Sequence, residues 1–436
     1  MKVKIIIAFI FFVLVLSIFS LKTYAADITQ TSSIKLNSEL IDKSITDKDE
    51  SSFIEIEKDS IITIDSKKTI AGLYIVYDFS SKEGILTAND QTIDIGKNAF
   101  LHEYININEK IKDVKTLTLS YNDTVKIADI YVLSEGNLPE YVEVWEPPCE
   151  KADLMLVTTH SDDEHLFFAG LLPTYVSRGA SVQVVYFTIH LNNTQRFHEQ
   201  LHGLYAVGIR NYPVIGIVPD KYSVFIQEAI NKLKKDGLSE EEVLRNQVEI
   251  IRRFKPQVIV GHDLNGEYGH GQHKLSSYIL KKAITLSNDR KYDNASKDKY
   301  GLWKVSKLYF HLYENNSITM DYDTPLEYFD GKTAFKMSQI AYSKHISQQK
   351  TEYTSWLNGP FNNYTKATDI QTYSPLKFGL YYTSVGPDVN KNDLLEHITY
   401  YKFQSNYSIY QRIAIFIFTN ILLLILVIII RKKVQV

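Results

Sequence analysis

From Cys149 onward, apolar segments of strand length alternate along the chain with segments that have a helical period. The predicted strands are Asp153–Thr159, Val182–Ile189, Pro213–Val218, Gln257–Gly261 and Lys307–Leu312, and the predicted helices are Glu164–Ser177, Asn193–Val207, Glu240–Phe254 and Lys274–Leu286. This alternation predicts a mainly parallel α/β sheet, in which ligands bind beyond the carboxyl ends of the strands. His160 follows the first of these strands, and His262 and Asp263 follow the fourth. Both polar clusters therefore lie at the carboxyl ends of strands, where such a sheet binds its ligands.

Residues 27–148 show a different rhythm. Segments such as Phe53–Glu57 and Thr92–Ile95 alternate apolar and polar side chains, with turn residues between them and no long helical period. Short strands of this kind predict an antiparallel β-sandwich. Two functions stay open for it: sugar binding, or a spacer or lid for the following domain. Prolines at 139, 147 and 148 mark the boundary.

Both ends of the chain are apolar. Residues 1–25 have the form of a signal peptide cut after Ala25, with an uncleaved anchor as the alternative. A further apolar run within 412–430 is long enough to predict a transmembrane helix, and the basic residues at its end predict a cytoplasmic tail over 431–436. We therefore expect a single-pass protein of the cell membrane, with the region from Ala26 to Tyr410, and so the catalytic domain, outside the cell.

Charge and cysteine content restrict the function classes. A net charge of −3 excludes a protein built mainly on a basic nucleic-acid footprint, so we expect no nucleic-acid partner. The single cysteine, Cys149, excludes an internal disulfide framework and any zinc site made of several thiolates. A metal site in this chain must therefore use histidine and carboxylate ligands.

The cluster His160-Ser161-Asp162-Asp163-Glu164 provides two ligand types at a strand-to-helix turn, where His160 and Asp163 can converge. A catalytic zinc needs three such protein ligands and one open position, although other divalent ions accept the same donors. The adjacent carboxylate of Asp162 can take the proton of an attacking water.

The third ligand comes from a second cluster, Gly266–His273, in which His270 and His273 are spaced by three residues. Either histidine can bind the metal, and the other can donate a hydrogen bond to an oxyanion. The alternative interpretation is purely structural, because acidic residues in a first helical turn simply match the helix dipole. Two clusters that both follow strands favour metal-assisted amide hydrolysis instead.

These residues carry a resemblance to a known family. Thr159–Glu164 resembles the Ala-His-Pro-Asp-Asp-Glu signature of the PIG-L/LmbE family of zinc-dependent N-acetylglucosaminyl deacetylases, and Gly266–His273 resembles its Gly-Glu-Tyr-Gly-His-Pro-Asp-His segment. Arg196-Phe197-His198-Glu199 is similar to its Arg-x-x-Glu helix. The resemblance covers about 150–330 and implies an LmbE-like deacetylase domain over 149–400.

The resemblance also implies roles. His160, Asp163 and His273 would bind Zn²⁺, Asp162 would be the general base, and His270 would stabilise the oxyanion. Further residues would bind the sugar: Arg196, Glu199 and Asp220.

Two positions depart from the family pattern. Ser161 replaces the usual proline, which loosens the turn but removes no ligand. Gln272 replaces an aspartate beside the third ligand, which raises the question of how the neighbouring imidazoles are oriented without that charge.

The predicted fold class is therefore α/β, with a Rossmann-like, mainly parallel sheet preceded by a β-sandwich and followed by one C-terminal transmembrane helix. The predicted function is hydrolysis of the N-acetyl group of an N-acetylglucosamine-type sugar on a cell-surface glycan or glycolipid, which releases acetate. Two alternatives stay open: a deacylase of a non-sugar amide, and a sugar-binding surface protein with a vestigial metal site.

Overall fold

The computed structural model describes residues 24–41, 43–191 and 193–400. The chain divides into two compact units. The first unit comprises Met1–Pro148, Thr188–Pro213 and Ile340–Thr351, and the second comprises Cys149–Phe187, Val214–Gln339 and Glu352–Val436.

The strands are β1 (Ser32–Leu36), β2 (Glu39–Leu40), β3 (Ile54–Ile56), β4 (Ile62–Ser66), β5 (Gly72–Tyr77), β6 (Gly84–Ala88), β7 (Gln91–Ile95), β8 (His102–Asn106), β9 (Thr116–Tyr121), β10 (Val125–Leu133), β11 (Leu154–Thr158), β12 (Val182–Ile189), β13 (Val214–Pro219), β14 (Val258–Gly261), β15 (Lys307–His311), β16 (Ser317–Thr319), β17 (Pro325–Leu326), β18 (Lys332–Thr333) and β19 (Lys377–Thr383). The α-helices are α1 (Ile107–Lys110), α2 (Asp163–Leu166), α3 (Leu171–Ser177), α4 (Gln195–Ala206), α5 (Ile226–Lys235), α6 (Glu240–Phe254), α7 (Gly271–Leu286), α8 (Asn294–Tyr300), α9 (Ala334–Tyr342) and α10 (Thr354–Asn358).

The first unit contains two antiparallel sheets, of strand order β2-β1-β4-β9-β6-β7 and β3-β10-β5-β8. All six residues of β5 are buried, as expected for a central strand that is covered on both faces. Side chains of the two sheets meet where the hydroxyl groups of Tyr77 on β5 and Tyr121 on β9 lie 3.2 Å apart. The alternating segments of the sequence therefore form paired strands around a shared core.

The second unit is built on a seven-stranded sheet of order β13-β12-β11-β14-β15-β19-β16. β11 pairs in parallel with β12 and β14, and β14 pairs in parallel with β15, whereas β19 runs antiparallel to β15 and β16. Every residue of β11 and β14 is buried. Continuous apolar strands of this kind are those of a sheet covered by helices.

Local sequence explains two helix boundaries of this unit. α6 begins at a capping box, in which the Ser239 hydroxyl accepts the backbone N–H of Glu242 and the Glu242 carboxylate accepts that of Ser239. The helix predicted over Glu164–Ser177 is split into α2 and α3, and α3 begins directly after Gly170. Gly170 has a φ of +90°, and a Cβ there would lie 2.3 Å from the Tyr322 ring, so only glycine fits.

The predicted fold class is wrong in its last component, the C-terminal transmembrane helix. Among residues 24–41, 43–191 and 193–400, no helix is long and apolar enough to cross a membrane. The predicted span over 412–430, the tail over 431–436 and residues 1–23 of the predicted signal peptide lie outside the described residues. A membrane partnership through that helix is therefore not supported.

Candidate metal centre

Two neighbouring strands of the second unit bring the two polar clusters together. β11 and β14 are adjacent and parallel, so their carboxyl ends share one edge of the sheet. His160 lies two residues after the end of β11, and His262 directly follows β14. α7, which begins at Gly271, carries His273 in its first turn. The site thus combines the turn after β11 with the loop and helix after β14.

Three predicted ligands form a small triangle. His160 Nδ1 lies 3.1 Å from Asp163 Oδ2, His273 Nε2 lies 3.2 Å from the same oxygen, and the two nitrogens are 3.2 Å apart. With metal–ligand bonds of 2.0–2.2 Å, atoms at the corners of a tetrahedron lie roughly 3.3 Å apart. The three atoms therefore have the spacing of ligands to one ion.

Hydrogen bonds at the other nitrogen of each imidazole ring determine which nitrogen is left to bind a metal. His273 Nδ1 lies 2.8 Å from Glu267 Oε2, and His160 Nε2 lies 3.1 Å from Gln272 Oε1. Both partner oxygens can only accept, so these ring nitrogens carry the protons, and His160 Nδ1 and His273 Nε2 keep their lone pairs.

The chemistry of this donor set fits a divalent cation. Two lone pairs and a carboxylate oxygen meet within 3.2 Å, which is repulsive unless a positive charge lies among them. Burial opposes protonation of His273, but the neighbouring carboxylates of Asp163 and Glu267 outweigh it and raise the pKa of His273 to about 10. Without a metal ion, a proton therefore occupies Nε2, and a metal ion must displace it to bind there. The cluster therefore attracts a cation, and His160, Asp163 and His273 are the residues that would hold it.

His262 offers a second possible ligand set with Asp163 and His273. Its Nε2 lies 3.5 Å from Asp163 Oδ2 but accepts the backbone N–H of Thr159 at 3.0 Å. Its Nδ1 lies 2.7 Å from Glu267 Oε2. Both ring nitrogens are thus occupied, and the ring stacks on His273 with centroids 4.0 Å apart. His262 therefore positions His273.

Glu267 is a residue whose role sequence reasoning missed. Its fully buried carboxylate contacts three imidazoles, with the third, His311 Nδ1, 2.7 Å from Oε1. Burial opposes ionisation, but the histidines, led by His262, keep the pKa of Glu267 well below its usual range. The signal was its place in the second cluster, five residues after a histidine at a strand end.

Gln272 answers the question raised by its departure from the family pattern. Besides accepting from His160, its Oε1 accepts the backbone N–H of Lys221 at 3.1 Å, and its Nε2 donates to the Pro219 carbonyl at 2.8 Å. The amide therefore needs both its acceptor and its donor at this position. The side-chain amide thus orients His160, whereas the backbone N–H of Gln272 contacts His270.

His270 is buried next to the triangle. Its ring lies 4.7 Å from the His160 ring, and its Nδ1 accepts the backbone N–H of Gln272 at 3.1 Å. Burial and the adjacent His160 and His273 lower the pKa of His270 to about 2. A neutral ring whose Nδ1 accepts must carry its proton on Nε2, where it can be donated to a ligand.

Asp162 is buried at the start of α2 with a φ of +129°. This value is rare for a residue with a Cβ and indicates local backbone strain of the kind found at functional turns. Its backbone N–H donates to Glu164 Oε2 at 2.8 Å, which stabilises the turn. Asp162 directly precedes the predicted ligand Asp163 in the sequence, so the strained turn lies next to the predicted metal site.

The proposed sugar contacts have different locations. Asp220 follows β13, and its Oδ1 lies 3.4 Å from His160 Nε2, so it belongs to the same cluster. Arg196 and Glu199 lie on α4 in the first unit. There the Glu199 carboxylate accepts the backbone N–H of Ser347 at 2.7 Å and its hydroxyl at 2.6 Å. All three roles in sugar binding stay predictions.

Aromatic side chains adjoin the histidines of the second unit. The Tyr268 ring lies 5.4 Å from His270 and 5.2 Å from both Tyr353 and Trp356. Sequence reasoning did not select these rings, because the chain has 30 tyrosines and 3 tryptophans and no pattern distinguishes them.

Comparison with known families identifies one similar family for this part of the chain. Residues 155–284 match the PIG-L family, described as GlcNAc-PI de-N-acetylase. We call residues 155–284 the PIG-L segment, after the family that they match. The PIG-L segment contains all eight predicted site residues, from His160 to His273.

Curated relatives of the PIG-L segment are similar in sequence at a moderate level. A 1D-myo-inositol 2-acetamido-2-deoxy-alpha-D-glucopyranoside deacetylase of Mycobacterium leprae is 27% identical over 197 residues, which are 38% of this chain and 61% of the relative. A deacetylase of the same description from Geodermatophilus obscurus is 26% identical over 180 residues, 36% of this chain and 60% of the relative. The match thus spans about three fifths of the length of these relatives.

Among solved structures, N,N'-diacetylchitobiose deacetylase from Pyrococcus horikoshii is similar to 52% of this chain and 84% of its own chain, with 15% identity and a TM-score of 0.38. A score this low carries no argument about fold or function, so the PIG-L assignment depends on the sequence match.

Proposed function

We propose that this protein is a metal-dependent deacetylase that hydrolyses the N-acetyl group of an N-acetylglucosamine-type sugar and releases acetate. The observation that carries the proposal is the triangle of His160 Nδ1, Asp163 Oδ2 and His273 Nε2 within the PIG-L segment. We place the sugar on a cell-surface glycan or glycolipid, because the N-terminus has the form of a secretory signal.

A divalent ion such as Zn²⁺, when bound, lowers the pKa of water and polarises the amide carbonyl. The side chains of the chain supply the remaining steps. Asp162 accepts the proton of the attacking water and returns it to the departing amine. His270 donates its Nε2–H to the carbonyl oxygen, which becomes an oxyanion when water attacks the carbonyl carbon.

The sugar ring requires a surface of its own. We propose that Tyr268 and Trp356, whose rings are 5.2 Å apart, pack against the apolar face of the pyranose. Asp220 stands beside His160 and is about one-third exposed, so it can accept hydrogen bonds from sugar hydroxyls. The roles of Arg196 and Glu199 in sugar binding stay predictions from the motif.

The test is acetate release from a substrate panel by the full chain and by Asp162→Asn. The panel holds a GlcNAc-inositol, N-acetylated chitooligosaccharides, an N-acetylated glycolipid and a non-sugar acetamide. We expect Asp162→Asn to lower kcat by about 10²–10⁴-fold with its metal content retained. Asp289→Asn, in an exposed loop, is the matched control.

Two results would overturn the proposal. Unchanged acetate release by Asp162→Asn would remove the assigned base. Release from the non-sugar acetamide alone, or from no member of the panel by fully metal-loaded protein, would exclude sugar deacetylation.

A further inference from the structure

A second cluster of histidines and carboxylates lies in the first unit and has no part in the proposed reaction. Glu50 precedes β3, His102 begins β8, and His198 and His202 lie on α4. All four residues belong to the same compact unit. His102 and His198 are fully buried, whereas the side chains of His202 and Glu50 are 27% and 30% exposed.

The potential ligand atoms of this cluster face one another. His202 Nε2 lies 3.0 Å from both carboxylate oxygens of Glu50, and His102 Nε2 lies 2.8 Å from His198 Nδ1. Glu50 is also 3.9 Å from His102 Nε2 and from His198 Nδ1. These distances bracket the roughly 3.3 Å between ligand atoms of a tetrahedral zinc site.

A buried carboxylate sets the protonation of two of these rings. Glu143 Oε1 lies 2.7 Å from His202 Nδ1, and Glu143 Oε2 lies 3.2 Å from His102 Nδ1. The indole N–H of Trp145 donates to the same Oε2 at 3.0 Å, which holds the carboxylate in place. The Nδ1 proton of His202 therefore points to Glu143, and its Nε2 faces Glu50. His102 Nδ1 lies between Glu143 and the Tyr74 hydroxyl, which is 3.0 Å away, and its Nε2 faces His198.

Lone pairs that face a carboxylate at these distances need a positive charge between them, which either a proton or a metal ion supplies. A carboxylate that fixes the tautomer of metal-binding histidines is also the arrangement found behind zinc ligands in proteins.

The sequence of α4 carries an independent signal. His198-Glu199-Gln200-Leu201-His202 has two histidines at i and i+4, which place both rings on one face of the helix. This spacing is known for two histidines that bind one zinc ion. Glu199 is occupied by Ser347, so it is not free to act as a base here.

We propose that the first unit binds one divalent transition-metal ion through His102 Nε2, His198 Nδ1, His202 Nε2 and the carboxylate of Glu50. Three imidazoles and one carboxylate suit Zn²⁺, whereas Ca²⁺ and Mg²⁺ prefer oxygen ligands throughout. Four protein ligands leave no open position, so the site is structural. It joins the segment before β3, the start of β8 and helix α4.

The experiment measures metal stoichiometry in the full chain, which is loaded with Zn²⁺, freed of loosely bound metal and analysed by mass spectrometry. We expect two ions per chain in the wild type. We expect one in His102→Ala/His202→Ala and one in His160→Ala/His273→Ala. One ion in the wild type, unchanged by His102→Ala/His202→Ala, would overturn the proposal.

A second measurement covers the case in which the alanine variants fold poorly. In the His160→Ala/His273→Ala background, Zn²⁺ should raise Tm and Co²⁺ should give the visible absorption of tetrahedral cobalt. Adding His202→Gln should abolish both effects, and adding His397→Gln, at an exposed position, should abolish neither. If hydrogen bonds alone hold the cluster together, Zn²⁺ will not raise Tm and Co²⁺ will give no tetrahedral absorption in any of these variants. That result would contradict the proposal.

Discussion

The tautomers of His160 and His273 are set by Gln272 and Glu267, which are not themselves predicted metal ligands. Gln272 and Glu267 accept the protons of the outer ring nitrogens, at 3.1 and 2.8 Å, and so direct the remaining lone pairs inward. Partners of this kind typically contribute 10–100-fold to metal affinity. The candidate site thus depends on these orienting residues as well as on its ligands.

Replacing Gln272 tests this dependence. We expect Gln272→Ala to weaken metal binding by about 10–100-fold, because His160 loses the acceptor for its Nε2 proton. The metal concentration that restores half of the acetate-release activity after chelation measures the effect. Gln371→Ala, at an exposed position, should leave that concentration unchanged. Equal values for the two variants would contradict the orienting role.

Asp129 on β10 controls a pH dependence of stability in the first unit. Burial raises its pKa to about 7, and the nearby carboxylates of Asp47, Glu50 and Asp49 add to the shift, against one backbone hydrogen bond from Lys48. A raised pKa means that the folded state holds the proton more tightly than the unfolded state. The stabilisation is therefore complete below about pH 4 and is lost as the pH rises to about 7.

Asp129→Asn removes this titration. The difference in free energy of unfolding between wild type and variant should change between about pH 4 and 7 and then level off, with the variant gaining relative stability as the pH rises. Urea unfolding of both proteins across this range measures it. A difference that is constant with pH would contradict a raised pKa.

At the scale of elements, one buried arginine joins three segments. Arg252 of α6 is fully buried and donates only to uncharged acceptors among those described. They are the carbonyls of Leu286, Ser287, Asp289, Tyr292 and Asp293 and the hydroxyl of Ser296, at 2.8–3.1 Å. The guanidinium thus caps the C-terminal end of α7, where the helix dipole favours a positive charge, and holds the loop that leads to α8.

Arg252→Met should destabilise the second unit by at least about 3 kcal/mol, because several buried carbonyls lose a charged donor at once. Arg253→Met is the matched control: that residue is exposed, and its guanidinium stacks on Phe254. We expect less than about 1 kcal/mol there. Thermal and urea unfolding measure both, and similar losses for the two variants would contradict the capping role.

At the scale of the whole molecule, contacts distant in sequence close the second unit. Lys307 on β15 is fully buried and forms an ion pair with Asp388, 81 residues later. Tyr309 donates to the same carboxylate at 2.6 Å. This network ties the segment after β19 to the sheet.

Breaking one side of the pair should be costly. We expect Lys307→Met to lower the free energy of unfolding by about 3–5 kcal/mol, because Asp388 stays buried without its cation. Lys307→Met/Asp388→Leu should lose less than the single variant. Arg245→Met, which breaks an exposed pair with Glu241 on α6, should cost about 0.5 kcal/mol or less. The coupling would be contradicted if the double variant lost as much free energy of unfolding as Lys307→Met and Asp388→Leu lose together when measured singly.

Local pattern was enough to predict much of this protein. Apolar period and turn residues predicted β11–β15 and the helices α6 and α7, because burial on one or both faces leaves its period in the sequence. They did not predict β19, which completes the sheet, or helix α5. The spacing of His160 and Asp163, and the choice between two histidines, already pointed to a metal site with three ligands. Gly170 shows the limit: the break there depends on the Tyr322 ring, 152 residues away in the chain, which no local pattern reports.

Only the tertiary structure decided how the remaining polar residues are used. Glu267 became the shared partner of three histidines, and Gln272 the partner of His160, because each contact joins segments that the sheet brings together. The four proposed ligands of the first unit, which include Glu50, come from three separate segments, so neither composition nor period could predict that they lie together. Sequence alone determines which residues are suited to be buried or to bind, whereas proximity between distant segments determines which of them bind together.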